Sequence, residues 1–410
     1  MKQLKFISCL LIAAVLISVS ACKSESAKSA KYVFYFIGDG MGFSHVALSE
    51  AYLSAKEGKV GSNALEFSSF PVMGMATTYS ASNFITCSSA AGTALSTGTK
   101  TNNGMLGVAP DSSKLRSIAY DIHDAGYKVG IMTSVTIDHA TPGAFYANSF
   151  DRNDYYTIAM QLPESGFEFF GGGGFEGLKK MGDRKSPYEL AAEKGYLVAY
   201  GQDDFMAKKD STEKIIYFQQ KGKERDILPY AFDRNDDDLT LAELVEGAIE
   251  VLDNEKGFFI MAEGGKIDWA AHANDLTNTI YETLDLDEAV KVAYEFYLRH
   301  PDQTLIIVTA DHETGGVTLG RSKGYNFDLS IVPDKTGAAV GGGEQDNVEN
   351  YMEQLPADSL SKAAQIGWTT LSHTGGAVPV FAIGAGSEKF AGRMNNTDIP
   401  VKVMEAMGLR

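Results

Sequence analysis

The sequence predicts an α/β fold, a large and mostly parallel central sheet with helices on both faces. Two observations carry this expectation. Short apolar runs rich in β-branched and aromatic residues recur, most of them ending in glycine or a polar cluster, and helical patterns lie between them. Runs with no polar alternation need cover on both sides, which crossover helices supply. KYVFYFIGDG (31–40) reads as the first buried strand, followed by a helix over 44–56. A helix over 113–125 leads into the strand YKVGIMTSV (127–135), and YLVAY (196–200) is the next. A helix over 239–253 precedes GFFIMAEGG (257–265), and one over 279–299 precedes QTLIIVTADHETGG (303–316). VPVFAIGAG (378–386) closes the series. GGGG at 171–174 and GGG at 341–343 read as turns rather than phosphate cradles. The stretch 321–365 is polar and irregular, a surface excursion, and no Pro/Ser-rich linker divides 31–410, which is read as one domain.

The start, MKQLKFISCLLIAAVLISVSACKSE, sets two lysines ahead of an apolar run and then small residues. Residues 1–21 therefore read as a signal peptide, too short and too early for a spanning helix. VSAC (19–22) resembles a bacterial lipobox, in which Cys22 carries lipid and becomes the mature N-terminus; cleavage near Ala21 with a soluble product is the alternative. Residues 22–30 then form a tether. The expected location is the cell envelope, periplasmic or anchored at the outer membrane, with membrane contact only through that lipid.

Loss of residues 1–21 removes Lys2 and Lys5 and no acid, leaving 34 basic and 53 acidic residues, a net charge of −19. Such a chain repels nucleic acid and anionic membranes. It would repel a phosphate ester too, unless the site concentrates positive charge of its own. Of three cysteines only Cys87 lies beyond residue 22, so the body has no intramolecular disulfide.

Candidate functional residues gather at the carboxyl ends of the predicted strands, where open α/β sheets place ligands. Asp39 follows VFYFIG, Glu263 follows FFIMA with Asp268 and His272 beyond, and Asp311 and His312 follow TLIIVTA. His139 and Thr141 follow GIMTSVTI, and His373 stands in LSHTGG. One aspartate at a strand end is commonplace; five such ends carrying Asp, Glu and His are not. Imidazole with carboxylate suits zinc, and carboxylate with hydroxyl oxygen suits magnesium. Asp268 and His272, four apart, share one side of a helical turn. His45, His123 and His300 lack such a setting and read as surface or satisfied histidines. FITCSSAAGTALSTGTKT (84–101) offers Thr86, Cys87, Ser88 and Ser89 as nucleophiles but no base, so any activator comes from elsewhere.

IGDGMG, SSAAGTALSTGTKTNNG, DHATPGAF with DRND, EGGKIDWAAHAND, TADHETGG and SHTGG occur in the order of the alkaline phosphatase family, which the chain resembles from Asp39 to His373. The resemblance implies that Asp268, His272 and His373 hold one zinc, and Asp39, Asp311 and His312 a second. It implies a third, magnesium-type site with Asp39, Thr141 and Glu263, and Arg152 as the phosphate-binding arginine. The family's nucleophile stands eight residues before STG, and counting back from Ser96 lands on Ser88. The related sulfatases place theirs nine before the Thr of TG, which from Thr97 again gives Ser88. Cys87, where many relatives have aspartate, reads as structural.

The implied reaction is hydrolysis of phosphate monoesters through a covalent phosphoserine, and family habit implies a homodimer. Two departures stand out. His139 replaces an aspartate and Trp269 a phosphate-facing lysine of the best-known bacterial members, so zinc or cobalt could replace magnesium at the third site. Phosphodiesterases and sulfatases share the fold, but the sulfatase pattern wants Pro and Arg where Ala90 and Gly92 stand. A non-catalytic lipoprotein binding phosphate or metal is the reading from another class; it conflicts with every ligand position being filled.

Overall fold

A computed structural model describes residues 29–180, 182–219, 227–335 and 359–410. The expected signal peptide, Cys22, most of the expected tether, the glycines at 341–343 and the middle of the excursion lie outside the described residues.

Ten strands form the central sheet: β1 (Tyr32–Gly38), β2 (Val72–Thr77), β3 (Lys128–Thr133), β4 (Phe169–Gly172), β5 (Leu197–Tyr200), β6 (Ile215–Phe218), β7 (Phe258–Gly264), β8 (Thr304–Ala310), β9 (Val378–Gly384) and β10 (Gly392–Asn395). Their order across the sheet is β10-β2-β9-β8-β1-β7-β3-β4-β6-β5. All neighbours are parallel except β9, which runs against both β2 and β8. The chain leaves β8 and re-enters the sheet at β9 from the same end, the arrangement that antiparallel neighbours share.

The central strands are buried throughout, and successive side chains face opposite covers. Phe34 meets Phe296 of the helix Leu276–Arg299 at 5.5 Å between ring centroids. Tyr35, its neighbour, meets Phe145 beyond the helix Ala140–Gly143 at 6.0 Å. Helices on both faces are the expected architecture.

Some elements differ from the sequence expectation. The helix expected over 113–125 spans Ile118–Asp124, because Val108 bridges Lys114 and the Leu115 N–H donates to Gly107 O. The Ser117 side chain then accepts from Ala119 N–H at 3.1 Å and starts the helix. Strands β2, β4, β6 and β10 were not expected: each is short, and β2, β4 and β10 contain glycine. Gly171 and Gly172, read as part of a turn, end β4, and Leu244, Phe169 and Met132 crowd the place of a Gly171 Cβ at 3.2–3.3 Å. The excursion is not wholly polar surface either. A short ladder of Thr318–Leu319 with Ile366–Gly367 closes its base, and Leu329 and Val332 bury against Leu48 and Tyr52 of the helix Phe43–Lys56.

Candidate active site

The site is built where three central strands end in register. Gly38 of β1 pairs with Gly264 of β7 and with Ala310 of β8, so the next residues, Asp39, Gly265 and Asp311, leave the sheet side by side. Glu263 stands one position earlier, opposite Ile37 on one side and Thr133 on the other. Gly40 takes φ +72°, and a Cβ there would lie 2.8 Å from Thr314 Oγ1 and 2.9 Å from Asp268 Cα. Glycine is required by both the backbone and the crowding.

The helix Ser88–Thr97 begins at this edge, with Cys87 in extended geometry as its N-cap. Gly92 lets it approach the helix Ala140–Gly143, since a Cβ would meet Thr141 Cα at 3.3 Å. Most hydroxyls in it and just before it serve the backbone: Thr86 donates to Cys87 O, Thr93 to Ser89 O, Ser96 to Ala144 O and Thr97 to Thr93 O. Ser89 contacts Cys87 Sγ, and the sulfur accepts from Gly104 N–H at 3.2 Å. Ser88 alone faces the clustered histidines, its Oγ 3.3 Å from His312 Nε2.

Three groups of ligand-type atoms, each within 4.8 Å of one another, converge here: Asp268, His312 and His373; Asp39, Asp311 and His312; and Asp39, His139 and Glu263. His272 joins the first, its Nε2 being 3.4 Å from Asp268 Oδ1 and 3.1 Å from His373 Nε2. Hydrogen bonding shows what this arrangement lacks. The His272 Nδ1–H donates to Leu371 O at 2.7 Å and the His373 Nδ1–H to Thr86 O at 2.8 Å. With their protons on Nδ1, the two rings turn Nε2 toward each other and toward Asp268, where each nitrogen can offer a lone pair to a cation. Nearby, Asp39 Oδ1 and Oδ2, Asp311 Oδ2, Glu263 Oε1, Thr141 Oγ1 and His139 Nδ1 are buried with no hydrogen-bond partner. Lone pairs and carboxylates gathered away from water call for cations, and the donor set fits zinc and magnesium.

Electrostatics agree. Burial first, and then the neighbouring Asp311, Asp268 and Glu263, push the Asp39 carboxyl well above its ordinary value. Asp311 is raised for the same reasons, burial first and Asp268 second. Burial raises Glu263 to about 7 against the hydrogen bond from Thr133. Burial, and then His373 and His272, hold the His312 ring well below the usual histidine range.

Arg152 directs its guanidinium to His139, Nη2 to Nε2 being 3.4 Å, while its N–H donates to Gly104 O. The His139 ring lies 6.0 Å from Trp269 and 6.5 Å from Tyr155, so the third group is walled by aromatic rings. Of the histidines set aside on sequence, His123 contacts Glu168 at 3.1 Å and His300 packs on Phe296 and Tyr32. His45 is not a surface residue: it is wholly buried, and its Nδ1 accepts from Gly42 N–H at the start of its helix. Burial lowers it to about 4. Sequence reasoning missed Thr314, whose hydroxyl touches both Asp268 and His312. A threonine two residues after a histidine carries no signal of its own.

Comparison with known proteins agrees with this geometry. A family model for alkaline phosphatase matches residues 30–169 and 193–409. Alkaline phosphatase 3 of Bacillus subtilis is 31% identical over 92% of this chain and 89% of its own length. The alkaline phosphatase of the Antarctic bacterium TAB5 superposes with a TM-score of 0.76 at 30% identity, over 94% of this chain and all of the other. That of a psychrophilic Shewanella gives 0.78 at 28%, over 92% and 99%. Two variants of the TAB5 enzyme, with one histidine replaced by glutamate or by aspartate, are described with magnesium in a site called M3. With the motifs, the sheet and the clustered ligands in agreement along nearly its whole length, the chain belongs to the alkaline phosphatase family.

Proposed function

We propose that the protein hydrolyses phosphate monoesters through a phosphoserine formed on Ser88. The observation that carries this reading is the place of Ser88 Oγ, beside His312 Nε2 and at the edge of the buried, unpartnered carboxylates. Asp268, His272 and His373 would hold one zinc ion, Asp39, Asp311 and His312 a second, and Asp39, Thr141, Glu263 and His139 a third ion. Bound ions of this kind supply Lewis-acid stabilisation of the serine oxygen and of the leaving oxygen.

Ser88 gives up its proton, and its Oγ forms a bond to phosphorus as the ester P–O bond breaks and the departing alcohol takes a proton. Water then cleaves the phosphoserine, releasing inorganic phosphate and restoring the hydroxyl. Ser88 opens a helix, so first-turn N–H groups and the helix dipole favour an anion beside it. Arg152 presents a planar fork to two non-bridging oxygens. Guanidinium and metal charge are local, which answers how a chain of net charge −17 admits a phosphate ester.

His139 distinguishes the third site. We take it as the counterpart of the histidine replaced in the TAB5 variants that hold magnesium. An imidazole donor would turn the site in this chain toward zinc or cobalt. Residues 1–21 would direct export and Cys22 would carry lipid, so Cys22→Ser should turn a detergent-requiring protein into a freely soluble one.

The test of the reaction combines metal analysis with hydrolysis of an aryl phosphate before and after chelation, and acid trapping of label from a radiolabelled monoester. Label on the peptide containing Ser88, and activity that vanishes with metal and returns with zinc and magnesium, are expected. Full activity after verified metal removal, or label elsewhere, overturns the reading.

A further inference from the structure

We propose that Thr314 is a positioning residue whose single hydroxyl couples the two proposed zinc sites, fixing Asp268 of one and His312 of the other. The inference rests on the reading that these two residues bind metal. Thr314 is fully buried. Its Oγ1 donates to Asp268 Oδ1 at 2.5 Å and lies 3.2 Å from His312 Nδ1.

A hydroxyl has one proton to give, and an ionised carboxylate can only accept. The proton therefore goes to Asp268, and a lone pair of Oγ1 faces His312. Nδ1 of His312 must then be the protonated nitrogen, donating to Thr314. Nε2 is left with its lone pair exposed, and this is the atom 3.3 Å from Ser88 Oγ, 3.3 Å from Asp39 Oδ1 and 3.2 Å from Asp311 Oδ2. One chain, His312 Nδ1–H to Thr314 Oγ1–H to Asp268 Oδ1, thus sets a donor atom at each of two sites. Such outer partners fix the ring orientation and tautomer of a ligating histidine and raise its basicity.

The backbone holds Thr314 where this works. Its N–H donates to Gly40 O at 3.1 Å, next to Asp39. In the two-residue ladder Glu313–Thr314 with His373–Thr374, it stands opposite His373. The competing account is a buried threonine that satisfies its hydroxyl and otherwise fills space. Valine keeps that shape without the hydroxyl, and serine keeps the hydroxyl without the methyl, so the two variants separate the accounts.

The experiment loads wild-type, Thr314→Val and Thr314→Ser proteins with zinc and titrates each with a chromophoric chelator, following release by absorbance. Thermal unfolding of the metal-free forms is measured alongside. Thr314→Val should give up both zinc equivalents together, with affinity lowered about 10- to 100-fold, while Thr314→Ser stays near wild type. Wild-type-like retention by the valine variant overturns the proposal. So does equal loss in the serine variant, or weakening confined to one equivalent. A wild-type protein that takes up no zinc removes the metal reading beneath it instead.

Discussion

Ser88 Oγ and His312 Nε2 stand 3.3 Å apart although 224 residues separate them in the chain. The contact exists because a helix begins at the same sheet edge where β8 ends. It also separates Ser88 from Cys87, whose sulfur is taken up by the Gly104 N–H and the Ser89 hydroxyl.

The first prediction concerns these neighbours. Burial opposes ionisation of the Cys87 thiol, but Ser89 and the N–H groups of Ala90 and Gly104 hold it below its ordinary value. A lowered thiol makes Cys87 a chemical rival, so geometry has to decide. Ser88→Ala is expected to lower kcat by at least about a thousandfold, with folding unchanged. Cys87→Ala should retain most of the activity. A folded Cys87→Ala protein without activity, beside an active Ser88→Ala, would transfer the nucleophile's role to the thiol.

The second prediction uses pH. Glu263 is raised to about 7, and Asp39 and Asp311 are raised well above the carboxylate range, all chiefly by burial. An acid raised on folding binds more protons folded than unfolded between its two values, so stability falls as pH climbs through that window. For Glu263 the window runs from the ordinary 4.5 to about 7. Metal-free protein should therefore melt several degrees lower at about pH 8 than at about pH 5.5, and loading with zinc and magnesium should remove or reverse that slope. Thermal denaturation of both forms at both pH values is the check; parallel profiles would contradict it.

Much of this site is legible in the sequence, because strand ends and ligand chemistry both leave local marks. Asp39, Glu263 and Asp311 follow apolar runs that can only be buried strands, and parallel strands in register bring such ends together. What is illegible depends on partners far along the chain. Thr314 gains its role from Asp268, 46 residues earlier, and nothing beside it announces that contact. His45 is buried with its Nδ1 accepting from the Gly42 N–H, and a backbone donor leaves no mark in the residue types around it. Strands β2, β4, β6 and β10 are four to six residues long, too short to stand out in the sequence, and their pairing within the sheet makes them strands. β9 looks like its parallel companions, and only the path of the chain before it sets its direction.

The third prediction concerns the support under the ligand helix. Lys266 opens the helix Lys266–His272, and its Nζ lies 3.2 Å from a Glu282 carboxylate as buried as itself. Glu282 also accepts from Ala231 N–H at 2.6 Å. Removing one partner strands a buried charge, at a cost of about 3–5 kcal/mol. Lys266→Met should shift the urea midpoint accordingly, and adding Glu282→Gln should recover part of the loss. A double variant no more stable than the single one would place the cost elsewhere.

The last prediction concerns Trp269, one residue past Asp268 and where some relatives carry a phosphate-facing lysine. Its ring lies 6.0 Å from that of His139, which in turn contacts Arg152, so the position borders the residue proposed to bind phosphate. A unit charge about 6 Å from phosphate, at an effective dielectric near 20, contributes roughly 3 kcal/mol per unit of phosphate charge before screening and desolvation. If about 1 kcal/mol survives, phosphate affinity changes about fivefold. Product release often limits turnover in well-evolved enzymes, so weaker phosphate binding and faster release go together. Trp269→Lys is expected to tighten competitive inhibition by inorganic phosphate about fivefold and to lower kcat where release is limiting. The bland alternative, that Trp269 only covers the pocket edge while Arg152 dominates, predicts no change in that constant. The measurement is the phosphate inhibition constant of both proteins at one pH and ionic strength with metals saturating. An unchanged or weaker constant in a folded, metal-replete variant would assign phosphate affinity to Arg152 and the metal ions alone.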